Sequence, residues 1–283
     1  MFHMPAFIFL SGMTFNRSKW KERSVQVLFL YVVFQVLYAS YFVLKGVITA
    51  SDALLKPYWL LWFLVSLASF YAICGLVGST LKVFCGAVIV SLLAGALPFN
   101  EYIFSWLRTA VFMPFFMAGA LCTKNFKISK SVAVASIAIG LMSVIFTFSF
   151  GVNYKLWFGV YNFNDLSVSI VDGIGLRIFS IIASFSVIIA LLSLMPGKKG
   201  LISIIGEKSL SIYLLHGFFV IVVSKIYSVA GHGINEYLSV LASAILTIMI
   251  TVVIVKLPAE QMIRKLMSIP FSIRKQSTNS SQH

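Results

Sequence analysis

Phe2-His3-Met4-Pro5-Ala6-Phe7-Ile8-Phe9-Leu10-Ser11-Gly12 opens the chain. The run is apolar enough to lie in a bilayer, yet it begins with an imidazole and a proline and closes on Ser-Gly. An ionisable side chain in a membrane segment is costly, which makes His3 a functional candidate in its own right. The run predicts a short helix of about fourteen residues, roughly 21 Å at 1.5 Å per residue. That is less than a hydrocarbon core of about 30 Å.

The whole chain fits the same reading. Of its 283 residues 60% are hydrophobic and only 11% charged, whereas a soluble domain carries about 25% charged residues. Apolar runs near twenty residues recur, and the short alternating segments of a β-barrel do not. The expected fold is all-α, a polytopic integral membrane bundle of about nine transmembrane helices. They lie near 2–15, 25–44, 58–77, 80–97, 103–122, 131–150, 172–195, 209–229 and 237–257. One membrane-embedded domain is expected over 1–270, followed by a polar tail at 271–283 that reads as disordered.

The net charge of +14 sits in short loops between apolar runs, so it marks topology and not nucleic-acid binding. Alternate loops hold sixteen lysines and arginines on one side (Arg17 to Arg23, Lys82, Lys124 to Lys130, Lys198 to Lys208, and the tail) against Lys45, Lys56 and Lys155 on the other. This bias places the C-terminus in the cytoplasm and, with nine spans, the N-terminus outside. Cys74, Cys85 and Cys122 have no metal-ligand spacing and read as packing residues, so no metal site is expected.

Further candidates follow in order. The loop carrying Arg17, Lys19, Lys21 and Arg23 is either a headgroup anchor or a cradle for the phosphates of an anionic cytoplasmic donor. Tyr58 to Leu64, with Trp62, reads as an interfacial aromatic belt or as a platform for a sugar face. Arg108 and Arg177 each lie near the outer end of a span. Both are open to a snorkelling reading, although Pro114 loosens the helix below Arg108 as around a cavity, and Asp172 lies close to Arg177 in sequence. The loop 151–171 mixes aromatics with amides, as carbohydrate sites and packed loops both do. His216 is either a hydrogen-bonded core histidine or a ligand contact.

Four stretches in this order resemble acyltransferase family 3, in particular its fucose 4-O-acetylase-like membrane acetyltransferases. They are the opening His3-Met4-Pro5…Ser11-Gly12, then Trp62-Phe63-Leu64, then Arg108 with Phe112-Met113-Pro114-Phe115-Phe116-Met117-Ala118-Gly119. The fourth is Ser209-Leu210-Ser211-Ile212-Tyr213-Leu214-Leu215-His216. The resemblance spans roughly Phe2 to Pro258 and implies a ten-helix bundle whose second helix aligns with the start of this chain. The family's first helix, with its basic residue and the histidine usually taken as catalytic, has no counterpart in these residues.

The resemblance implies transfer of an acetyl group from cytoplasmic acetyl-CoA, a co-substrate and not a bound cofactor. The acceptor would be a sugar hydroxyl of an envelope polysaccharide or a lipid-linked glycan, in a bacterial-type inner membrane. Under it His3 and Arg108 are the catalytic candidates, as base and oxyanion donor. Arg17, Lys19, Lys21, Arg23, Trp62, Arg177 and His216 are the binding candidates. The alternative reading is a transporter or flippase for a lipid-linked or anionic solute.

Overall fold

The computed structural model describes residues 3–46, 49–97, 103–122, 128–195, 200–230 and 236–280. Twelve α-helices occur there, and no strand: α1 (His3–Met13), α2 (Trp20–Leu44), α3 (Ala50–Leu55), α4 (Trp62–Val77), α5 (Leu81–Leu93) and α6 (Trp106–Leu121) come first. They are followed by α7 (Lys130–Ser149), α8 (Ile170–Leu194), α9 (Leu201–Glu207), α10 (Ser209–Ala230), α11 (Glu236–Lys256) and α12 (Ala259–Ser280). The fold is a helical membrane bundle. Each of the nine expected apolar segments is helical.

Among the described residues four helices are long and apolar enough to cross a membrane by themselves: those reaching Leu44, Leu121, Ser149 and Leu194. The helices containing His3–Met13, Trp62–Val77, Leu81–Ala96 and Ser209–Lys225 are apolar but shorter. Leu241–Lys256 and Ala259–Phe271 form a pair bent by 63°, at Pro258, whose missing N–H interrupts the helical ladder. Helix α12 continues to Ser280, so helix occupies most of the stretch expected as a polar tail.

Short polar residues set the breaks. Thr80, Ser129 and Ser169 accept backbone N–H bonds from Val83, Val132 and Asp172, which starts α5, α7 and α8. Gly78, at φ 90°, ends α4 in a conformation that a side chain would disfavour.

The chain divides into two compact units, 1–195 and 196–283. In the first, α1 packs on α6, α2 on α4, α5 on α6, and α7 on α8. The α1–α6 contact is set by two glycines. A Cβ on Gly12 would stand 2.2 Å from the Phe116 carbonyl oxygen, and one on Gly119 would stand 2.0 Å from the Phe9 carbonyl oxygen. Glycine therefore lets two backbones touch, as small residues do in membrane helix pairs. The core between α4 and α6 is aromatic: Phe116 stacks on Phe70 and meets Tyr71 edge-on, at 5.3 and 5.6 Å between centroids. Ser66 on α4 pairs with Thr109 on α6 at 2.8 Å, and on the other side of α6 Ser91 of α5 donates to the Val111 carbonyl at 3.0 Å.

In the second unit α10 packs on α9, α11 and α12. Ser211 on α10 donates to the Glu260 carboxylate on α12, and Glu260 also accepts from Arg264 at 2.8 Å.

Candidate functional site

Gly12 faces residues 116–120 and Gly119 faces residues 9–13. Pro5 shares a cavity wall with Val111 and Phe112, so α1 and α6 run parallel. His3 therefore lies near the level of Arg108, at the end of α1 opposite Met13. His3 is exposed. At 1.5 Å per residue, about 15 Å of helix axis separates it from the end that leads into the basic loop.

Arg108 is half-buried. Its guanidinium carbon lies 4.8 Å from the centroid of the Trp62 ring, and its Nε donates to the Phe158 carbonyl at 3.2 Å. Trp62 stacks on Phe112 at 5.4 Å, and that stack holds the face beneath the cation. With 6% of its surface exposed, Trp62 is an interior ring. It does not belong to an interfacial belt. Trp59, three residues earlier, is by contrast 51% exposed. Just before α6, Phe104 and Ser105 both adopt left-handed backbone, φ 47° and 52°. Such strain costs about 1–3 kcal/mol per residue and occurs where surrounding structure holds it.

The loop that closes over Arg108 is folded into the first unit. Tyr154–Phe158 forms a short 3₁₀ turn. Phe163 donates its N–H to the Gly95 carbonyl at 2.8 Å, and its ring is wedged between Gly95 and Gly173. Trp157 and Asn162 are buried, and Lys155 lies 5.0 Å over the Tyr161 ring. Between the packed-loop and carbohydrate readings of this segment, the side chains of Trp157, Asn162 and Phe163 follow the first.

Arg177 is only 1% exposed, so it does not snorkel. Its Nε and Nη2 have no hydrogen-bond acceptor among the described residues. Asp172, expected near it, instead accepts from the Ser169 hydroxyl at 2.7 Å.

The basic cluster divides. Arg17 donates to the Gly75 carbonyl at 3.4 Å and lies against Gly78, at the carbonyl-rich C-terminus of α4. Lys21 covers the Trp20 ring at 5.6 Å, and that ring packs on Gly75. Lys19 and Arg23 are exposed. His216 belongs to the second unit, where its Nδ1 lies 2.6 Å from the Tyr213 carbonyl and 3.1 Å from that of Ile212. That geometry puts a proton on Nδ1.

In sequence Trp157 is one of several aromatics in its loop, and the structure sets it apart. Its indole Nε1 is buried without an acceptor among the described residues. It lines two cavities. One, about 460 Å³ and mostly apolar, lies between α7, α8 and residues 151–154. The other is the small cavity that holds Arg177 and Pro5.

Fold and site together define a polytopic helical membrane protein with cationic side chains set among buried aromatics. A family model described as an acyltransferase domain, that of acyltransferase family 3, matches residues 1–256, and the chain belongs to that family. It is a membrane acyltransferase in general type. No curated protein and no solved structure matches the chain.

Proposed function

We propose that the protein is a membrane O-acetyltransferase that takes the acetyl group of cytoplasmic acetyl-CoA. It passes that group to a sugar hydroxyl of an envelope polysaccharide or lipid-linked glycan. The observation that carries this reading is the placement of functional groups along α1. His3 stands at one end, level with the Trp62–Arg108 pair, and the basic loop stands at the other.

With the positive end toward the cytoplasm of a bacterial-type inner membrane, the exposed Lys19 and Arg23 would meet the CoA phosphates. Arg17, with its bond to Gly75, mainly fixes the loop. The acceptor sugar would lie at the other end, against the half-buried Arg108. The His3 imidazole takes the hydroxyl proton as the sugar oxygen attacks the thioester carbonyl carbon. Arg108 offers charge to the oxyanion that forms there. Collapse of the tetrahedral intermediate breaks the carbon–sulfur bond, and the departing thiolate takes the proton back from the imidazolium. His216, bonded within its own helix, has no step in this scheme.

The test is release of CoA thiol by the purified protein in lipid nanodiscs, with and without a glycan acceptor. Acceptor-dependent release supports acetyl transfer. A transporter of anionic or lipid-linked solutes would move its solute and leave the thioester intact.

A further inference from the structure

Two buried donors on different elements share one small cavity. Arg177 on α8 and Trp157 on the 3₁₀ turn both line a cavity closed by Pro5, Phe112, Phe115 and Ser184. Arg177 Nε, Arg177 Nη2 and Trp157 Nε1 are the buried side-chain polar atoms without an acceptor among the described residues. All three are N–H donors, and one group carries a full charge. Both ion pairs found among the described residues, Lys56–Asp52 and Arg264–Glu260, lie elsewhere.

We infer that Arg177 and Trp157 form a binding site for a small monatomic anion, a halide such as chloride. A buried guanidinium without a counter-charge is costly, and the protein offers it none among the described residues. The Nε and Nη2 edge of arginine presents two nearly parallel N–H groups, suited to one acceptor placed between them. The indole N–H supplies a third. Space decides between anions. About 10 Å³ is open there to a water-sized sphere, the lower limit for one small particle, so a halide, somewhat larger than water, enters with a slight outward shift of the lining side chains. Carboxylates and phosphates carry several heavy atoms and exceed it.

The bound halide would tie the 3₁₀ turn to α8 beside Pro5, and so hold the start of α1 and its His3 in place. This site stands independently of whether acyl transfer occurs.

The test uses the full chain in nanodiscs, unfolded thermally under circular dichroism while gluconate is replaced by chloride or bromide at constant ionic strength. Chlorine-35 NMR linewidths provide the second readout. A saturable rise of the unfolding midpoint with halide is expected, together with line broadening that bromide competes away. Trp157→Phe should keep the fold and weaken the halide about tenfold, the equivalent of one hydrogen bond near 1.4 kcal/mol. Arg177→Gln should abolish the halide dependence. Identical midpoints in gluconate and chloride without broadening would overturn the proposal and leave a buried water as the acceptor. Equal stabilisation by acetate would also overturn it, in favour of a carboxylate subsite.

Discussion

Gly12 and Gly119 form a reciprocal contact in which each occupies the space that the other's helix would need for a side chain. The nearest atoms to an added Cβ are the backbone oxygens of Phe116 and Phe9, at 2.2 and 2.0 Å. Backbone cannot swing aside as a flexible side chain can. Gly12→Ala and Gly119→Ala should each force α1 from α6 and destabilise the protein by about 1–3 kcal/mol, the usual cost of overpacking. Thermal unfolding in nanodiscs measures it. Unchanged midpoints would show that the two helices can separate freely.

Arg108 and Trp62 test a different contact. The cation over the ring is worth about 0.5–2 kcal/mol, and the Nε bond to Phe158 adds orientation. Arg108→Lys keeps the charge but not the fork, so turnover should fall well over tenfold with stability nearly kept. A double-mutant cycle with Trp62→Leu should show coupling between the two positions. Strictly additive losses would mean that the ring does not position the guanidinium.

The basic loop should separate into two behaviours. Arg17→Ala removes a donor from the Gly75 carbonyl and should lower stability, with little change in the KM for acetyl-CoA. Lys19→Ala and Arg23→Ala should leave stability alone and raise that KM, in a way that added salt reproduces in the unmutated protein. A uniform effect of all three would refute the division.

Asp52, at the start of α3 between spans, sits 2.8 Å from Lys56. Its carboxyl is held below the usual range first by the hydrogen bond from Lys56 and then by that from Thr49. A depressed carboxylate stabilises the folded state above the unfolded pKa and loses that contribution as pH falls through the folded value. Carbon-13 titration of the side chain should thus give a midpoint under that of Asp52 in a denatured chain, and Lys56→Gln should raise it. The pair is exposed, so the consequence for stability is small.

The membrane bundle was legible because hydrophobic runs and their polar breaks are local properties. Gly78, Thr80, Ser129 and Ser169 stand at helix ends for reasons that a few neighbouring residues settle. Contacts between helices were not legible in that way. Helices such as α4 and α7 are apolar on every side, so their sequences do not say which face turns inward. Arg108 and Arg177 accordingly looked alike in sequence, near the outer ends of two spans. In the structure one lies over Trp62 within reach of the loop, and the other is sealed from solvent. Trp62 reads in sequence as a belt residue or a sugar platform and Trp157 as one aromatic among several, since only the packing of α4 and of the loop shows where the two indoles lie. The four family words were legible because their order along the chain carries information that each alone lacks.

The measurement that reaches the central claim most directly is the O-acetyl content of the host's surface polysaccharide by proton NMR. It would be made in the parent strain, in a deletion strain, and in that strain complemented with this chain or its His3→Ala form. The account predicts acetyl signals lost on deletion, restored by the unmutated chain and not restored by His3→Ala. Acetylation unchanged by the deletion would contradict it.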